Sequence, residues 1–347
     1  MKKVCVIGSF GFNKNLLNGQ TIKTKIIAKE LSSSLGEDQV LKIDTHGGKK
    51  TLLKAPFQVI KALKNSSNII IMPAHNGLRV YTPLLSIFRA FFRRKKLHYV
   101  VIGGWLPNFI KGKKLLRKQL KKFHGIYVET NSMKKALEEQ GFKNVIVMPN
   151  CKELPPLSES DLVYPLKEPY KLCTFSRVMK EKGIEDAVNA VKLVNEHFGK
   201  IVYELDIYGQ VDLNQTKWFD NLKQSFPPYI RYGGIIHFDK SVEVLKNYFA
   251  LLFPTHYYTE GIPGTIIDAY AAGLPVISAK WENYDDVIDD GRTGFGFKFK
   301  DYNDFVSTLF NLANNPSIIV GMKQKCIKKS YQYQPKTVIE ILLQRLV

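Results

Sequence analysis

Between Thr45 and Val128 the chain has no carboxylate at all, yet the same stretch carries 18 Lys and Arg. Solubilising charge scattered at random does not segregate by sign, so this half of the chain faces a polyanion: nucleic acid, anionic lipid headgroups or a phosphorylated substrate. Residues 1–150 hold 28 Lys/Arg against 7 Asp/Glu, a balance of +21, and residues 151–347 hold 23 against 24, so the net charge of +20 belongs to the first part. Cysteine is sparse and scattered. Cys5, Cys151, Cys173 and Cys326 form no CxxC pair and no His/Cys cluster, which argues against zinc and for reduced cytosolic thiols. No apolar run approaches the roughly 18 residues of a spanning helix. The run Val4-Cys5-Val6-Ile7 is too short for a signal peptide. The expectation is a chain that is soluble or lies on a membrane without crossing it. Low-complexity segments and short internal repeats are also missing, and a hydrophobic content of 45% fits a globular protein.

What is present is an alternation. Val4–Ile7, Asn68–Met72, Tyr99–Ile102, Gly125–Val128 and Asn144–Val147 are short apolar runs that read as parallel strands buried on both faces. Helical patterns such as Thr21–Leu35 and Asn131–Gln140 separate them. The proline-bearing stretch from Leu154 through Pro165 to Pro169 reads as a linker. The alternation then repeats, with strands at Lys171–Phe175, Tyr203–Tyr208, Leu251–Phe253 and Val276–Ile277 and a helix at Ile184–Phe198. Two α/β domains of doubly wound type follow, at 1–165 and 166–330, and the apolar tail 331–347 closes as a helix.

The stretch from Thr259 to Ile277 carries the chemistry. A carboxylate, Glu260, precedes a helix start marked by Gly261, Pro263 and Gly264, and a second, Asp268, lies one turn inside. Free amides and the positive end of a helix dipole favour a bound anion, typically phosphate. Upstream, Arg177 offers a planar fork and Lys182 a point charge for phosphate oxygens. An ordinary capped helix and a solvated charged loop are the plain alternatives.

These segments resemble family 4 retaining glycosyltransferases, which have the GT-B fold. Glu260 and Asp268 match their Glu-x7-Glu signature with Asp in the second place, and Arg177 and Lys182 match the Arg and the Lys of their Gly-Arg…Lys-Gly segment with Ser176 as the first residue. The resemblance is loose in the first half and specific from Phe175 to Gly294. It implies two Rossmann-like domains, an acceptor-binding N-terminal one and a nucleotide-sugar-binding C-terminal one, with the last helix returning to the N-terminal domain. Catalysis would fall to Glu260, Arg177 and Lys182. The donor would be held by Gly19, Arg177, Lys182, Gly234, Ile235, Glu260, Gly261, Ile262, Pro263, Gly264, Thr265 and Asp268. Asn13, His75, Gly104 and Trp105 would face the acceptor or its sugar. Many relatives carry a His where this chain has Gly103-Gly104-Trp105.

The implied activity is transfer of a sugar, with retention, from a nucleoside diphosphate sugar, UDP favoured, to a polyprenyl-diphosphate-linked oligosaccharide in surface polysaccharide synthesis. No Asp-x-Asp triplet occurs, so no metal or other cofactor is expected. Leu84, Leu85, Ile87, Phe88, Phe91 and Phe92 fall at helical spacing ahead of Arg93-Arg94-Lys95-Lys96, and seven cations follow between Lys111 and Lys122. That pattern suits an interfacial amphipathic element on an anionic membrane, at the cytoplasmic face. A sugar-nucleotide epimerase or hydrolase of the same fold, and a non-enzymatic basic membrane or nucleic-acid binder, stand as rival readings. The second leaves the acidic motif unexplained and lacks the Gly/aromatic repeats of an RNA-binding sheet, so no nucleic-acid partner is expected.

Overall fold

A computed structural model describes residues 2–12, 18–92 and 94–346. It resolves into two compact units: one runs to Glu153 and resumes at Gln332, and the other is Leu154–Tyr331. The first unit is built on β1 (Lys2–Gly8), β2 (Val40–Asp44), β3 (Ser66–Ile71), β4 (Lys96–Val100), β5 (Gly125–Val128) and β6 (Val145–Val147). They form one parallel sheet in the order β2-β1-β3-β4-β5-β6. The second is built on β7 (Tyr170–Phe175), β8 (Tyr203–Tyr208), β9 (Ile230–Gly234), β10 (Ala250–Phe253), β11 (Val276–Ala279) and β12 (Gly294–Phe297). Its parallel order is β12-β11-β10-β7-β8-β9. This is the doubly wound α/β class expected of both halves.

The strands arise where β-branched runs are buried on both faces. In β1 the side chains alternate, Cys5 and Ile7 into one core and Val4 and Val6 into the other, as a period of two requires. The strands that the apolar-run pattern passes over, β2, β9 and β12, are edge strands. Each pairs along one side only, so the sequence keeps polar or glycine positions such as Lys42, Gly294 and Gly296.

The expected boundary at 165/166 moves to 153/154. The Leu157 amide donates to the Ala271 carbonyl at 2.7 Å, and the Leu162 side chain packs where a Cβ on Gly273 would stand. The proline-rich connector therefore belongs to the second unit, since its leucines have somewhere apolar to go. The tail forms the helix Pro335–Leu343, which buries Val338, Ile339 and Leu342 beside the helix Gly19–Leu35 of the first unit. At roughly 2 kcal/mol for each buried aliphatic side chain, this contact anchors the tail firmly.

The expected interfacial element is mostly a core helix. In His75–Phe88, Leu85 is fully buried and Leu84 and Phe88 pack against the core, as does Phe92 beyond it. Only Ile87 and Phe91 of that apolar set stand exposed. Helical spacing marks an apolar stripe without saying whether protein or lipid covers it.

A buried polar chain crosses the first sheet. Asn68 donates through Nδ2 to the carbonyls of Lys3 at 3.1 Å and Leu346 at 3.0 Å, which fixes its Oδ1 as an acceptor for His98 Nε2 at 3.3 Å. The imidazole is thus a neutral Nε2–H tautomer, and its Nδ1 accepts from the Tyr127 hydroxyl at 3.1 Å. Burial pushes its pKa down to about 3, with His124 and Lys96 adding. A lowered histidine pKa makes the unfolded chain bind the proton first, so stability is lost as pH falls below the unfolded value near 6.5. Between pH 6.5 and 5 the first unit is expected to lose on the order of 1–2 kcal/mol from this residue. His98→Gln, which stays neutral, should flatten that slope in urea unfolding followed across the same pH range.

Candidate functional site

The second sheet reverses its strand order between β7 and β10. The chain runs outward through β7, β8 and β9, returns to the other side of β7 as β10, and runs outward again through β11 and β12. Loops leaving the carboxyl ends of two such strands diverge, the arrangement at which open α/β sheets hold ligands. The loop after β7 carries Arg177 and Lys182, and the loop after β10 carries Glu260.

Close backbone contact sets their spacing. Gly183, at φ +69°, lies so near the Pro254 carbonyl that a Cβ would stand 1.9 Å from its oxygen. The His256 amide donates to the Glu181 carbonyl at 2.8 Å. With the loops laced in this way, Lys182 Nζ donates to Glu260 Oε1, and both side chains are about five-sixths buried, at 16% and 17% exposure. Thr255 Oγ1 donates to the same oxygen at 3.2 Å, and Asn283 Nδ2 to the Glu260 carbonyl at 2.6 Å. The Lys182 ammonium lies 5.3 Å from the centre of the Phe253 ring and 5.2 Å from that of Tyr257. These contacts offset the desolvation of a largely buried ion pair. Desolvation raises the Tyr257 phenol pKa, Glu181 and Glu260 add to it, and Arg177 opposes, so Glu260 and Arg177 act on one ring. Arg177 itself is half exposed, its Nη1 3.6 Å from Asp212 Oδ2 in the loop after β8. The two predicted cations therefore have separate carboxylate partners.

Four residues past Glu260 the helix Gly264–Ala271 begins, with Pro263 at its cap, no side-chain cap and no acid in its first turn. The Pro263 carbonyl takes the amides of Ile266 and Ile267. Those of Gly264 and Thr265 have no carbonyl one turn before them. Thr265 Oγ1 is screened from solvent and has no hydrogen-bond partner. Gly261 and Ile262 are buried beside it. Asp268, in contrast, is turned inward: it is 1% exposed, and Oδ1 accepts from Ser241 Oγ at 2.9 Å. Gly234 ends β9 at φ +77°, and Ile235 beyond it is exposed. Thr255, Tyr257, Asn283, Asp212 and Ser241 belong to no motif that the sequence displays. The first four follow carboxyl ends of strands, the one signal that pointed to them.

In the first unit the order reverses between β1 and β3. A hollow of about 650 Å³ opens at the carboxyl ends of β1, β2 and β3, lined among others by Ser9, Gln20, His46, His75 and Asn76. His75 begins its helix at the rim, with its ring 3.9 Å from Trp105 and 4.8 Å from Phe109. Desolvation holds its pKa below the usual histidine value, and Arg79 and Lys113 add to this. It is neutral at pH 7, with a ring nitrogen free to accept a proton or a hydrogen bond. The Trp105 indole N–H is spent on the Ile102 carbonyl at 2.8 Å, and one ring face lies against His75. Gly104 is buried in a loop held from below. There the Gly103 amide donates to Glu129 Oε1 at 3.0 Å, and the same oxygen receives Lys23 Nζ at 2.7 Å. Gly19 is the exposed first residue of its helix in this unit, and Asn13 lies outside the described residues. Among the described residues no group of three His, Cys, Asp or Glu could hold a metal ion.

Residues 169–315 match the family described as glycosyl transferases group 1. An uncharacterized glycosyltransferase of Methanocaldococcus jannaschii is 24% identical over 285 residues, 74% of this chain and 70% of that protein. Among solved structures, Anabaena HepE with bound UDP and glucose aligns over 100% of this chain and 99% of its own, at 14% identity and a TM-score of 0.74. Sucrose-phosphate synthase of Thermosynechococcus elongatus aligns over 99% and 98%, at 13% identity and a TM-score of 0.77. S. aureus TarM, solved with UDP, aligns over 85% of this chain at 16% identity and a TM-score of 0.66; this chain spans 59% of it.

Gly183→Ala is expected to cost the second unit about 2–4 kcal/mol in urea unfolding, from left-handed strain plus the collision with Pro254. Gly199→Ala has similar φ, +62°, but open space around it, and should cost about 1 kcal/mol. Equal losses in the two variants would remove the loop contact as the element that sets the site.

Proposed function

We propose that the chain is a glycosyltransferase of the family 4 type, a reading supported by the group 1 match over residues 169–315 and by the likeness to GT-B structures, and that it moves a sugar from a UDP-sugar, with retention, to a lipid-linked oligosaccharide in the assembly of a surface polysaccharide. The observation that carries this reading is the Lys182–Glu260 pair set four residues ahead of an uncapped helix start. The second unit takes the donor. Its diphosphate docks on the amides of Gly264 and Thr265, with the Thr265 hydroxyl as a further donor. UDP is the favoured nucleotide because HepE and TarM were each solved with it. Gly234 and Ile235 supply backbone and an apolar edge to the base.

The ion pair gives the site a defined first step. Phosphate oxygens compete for the Lys182 ammonium, and Glu260, still held by Thr255, turns its freed carboxylate to the sugar hydroxyls. Lys182 and Arg177 then meet the charge that grows on the leaving diphosphate. No side chain beside Glu260 is placed as a nucleophile on the sugar, so the acceptor oxygen forms its bond on the face from which the diphosphate departs. A phosphate oxygen takes the acceptor's proton. The cations and the helix start do the work of a metal ion, and the reaction needs none. Asp268 lies on the helix that presents the amides and holds it through the Ser241 hydroxyl.

The first unit takes the acceptor in the hollow beside His75. Among the described residues no helix is long and apolar enough to cross a membrane. The carboxylate-free stretch docks the enzyme on the inner leaflet, at about 1 kcal/mol for each engaged cation. Ile87, Phe91 and Leu115 stand exposed among those cations.

Glu260→Ala should lower turnover on the order of a hundredfold or more while changing UDP affinity less than about threefold. Lys182→Met should weaken UDP by about tenfold or more. Titration calorimetry with UDP, together with product analysis using nucleotide sugars, checks both. Near wild-type transfer by Glu260→Ala would sink the site assignment.

A further inference from the structure

The helix His75–Phe88 and the helix Lys114–Leu120 enclose a groove of about 340 Å³ that no role assigned above uses. One wall is the stripe of Arg79 and Pro83, one helical turn apart, which Ile87 continues. The other is Leu115 and Gln119, at the same spacing on the facing helix. The ends of the groove differ in chemistry. Where both helices begin, Arg79 Cζ and Lys113 Nζ stand 5.0 Å and 4.3 Å from the centre of one ring, Phe109. That ring lies edge-on to His75, so the cationic end adjoins the hollow assigned to the acceptor.

These cations have no carboxylate partner among the described residues, although Lys113 Nζ donates to the Phe109 carbonyl. Among the described residues Arg79, Lys113 and Lys114 make no ion pair, and the sequence from Thr45 to Val128 has no acid to offer one. Two positive groups over one ring, with a third beside them, repel each other, and a bound anion relieves that repulsion. Beyond them the lining turns aliphatic with Pro83, Leu115 and Leu116, and Leu115 is 69% exposed. A free anion would leave that apolar part wet, and an apolar chain alone would leave the cations unmet. The occupant that satisfies both has an anionic head and a hydrocarbon tail.

We propose that this groove binds a lipid phosphate or diphosphate, its phosphates on Arg79, Lys113 and Lys114 and its first carbons along Pro83 and Leu115, as the carrier end of the acceptor. The proposal rests on the reading of the chain as a transferase to a lipid-linked acceptor. The groove turns the carrier so that the sugar it bears lies on the side of His75 and Trp105.

The full-length chain is titrated with farnesyl diphosphate, farnesol, inorganic pyrophosphate and UDP by calorimetry, with Trp105 fluorescence as a second readout. The wild type should bind farnesyl diphosphate more tightly than either farnesol or pyrophosphate. Arg79→Ala/Lys113→Ala should weaken it on the order of tenfold. Leu115→Ser, at an exposed position that leaves the fold untouched, should weaken farnesyl diphosphate and not pyrophosphate. UDP affinity should stay unchanged in both variants. Unaltered farnesyl diphosphate affinity in both variants, with UDP bound normally, would overturn the groove and leave the transferase reading standing. Failure of the wild type to bind UDP would instead strike at that reading. Pyrophosphate binding as tightly as farnesyl diphosphate would reduce the groove to an anion site and overturn the proposal. So would an equal loss, in the double variant, of binding to phosphatidylglycerol vesicles, which would make it a general headgroup contact.

Discussion

Everything in the second unit's site depends on how closely the backbone after β7 approaches the backbone after β10. Gly183 has no Cβ, so the Pro254 carbonyl can lie where a side chain would otherwise be. That contact brings Lys182 and Glu260, 78 residues apart in the chain, into one ion pair. A pair so deeply shielded is costly to assemble and costly to leave half made. The neighbouring Thr255 hydroxyl and the Phe253 and Tyr257 rings make it tolerable. They also leave it open to exchange, because each charge keeps a second partner when the first is taken away.

The two units handle charge in opposite ways. In the second, the cations of the site are matched: Lys182 by Glu260 and Arg177 by Asp212. A diphosphate arriving there must displace carboxylates, which favours a ligand that brings two negative charges and geometry to match. In the first unit, Arg79, Lys113 and Lys114 make no ion pair among the described residues. Such a surface gains from any anion and draws its selectivity from shape, here from the aliphatic groove that follows the charges. The one deeply buried ion pair described in this unit, Lys23 with Glu129, does another task. It holds the Gly103 amide and with it the loop that ends in Trp105.

The sequence showed the middle of each sheet and lost the margins. Central strands such as Val4–Ile7 and Leu251–Phe253 are apolar on both faces, and a run of such residues can be read from composition alone. Edge strands such as β2 and β12 carry Lys42 and a pair of glycines, because half their surroundings are water or loop. The connector from Leu154 was legible only in part for a related reason. Proline marks a chain that does not continue a helix or strand, yet it says nothing of whether the leucines between the prolines find a surface to bury against. The stripe from Leu84 to Phe92 divides between core and surface, since lipid and protein core ask for the same spacing.

The amino-acid sequence by itself determined the α/β class, the separation of charge between the two halves, and the residue types on which an anion site depends. These are local or compositional properties, carried by neighbours along the chain. It also marked Arg177, Lys182, Glu260 and the helix start as belonging to one chemistry. Only the tertiary structure decided how they are partnered. Lys182 is bonded to Glu260, Arg177 leans to Asp212, and Asp268 is turned from the open helix start into a buried contact with Ser241. The reason is that the carboxyl ends of β7, β8 and β10 meet through strand order, and strand order is set by which edges pair in space, over separations that no window along the chain can span.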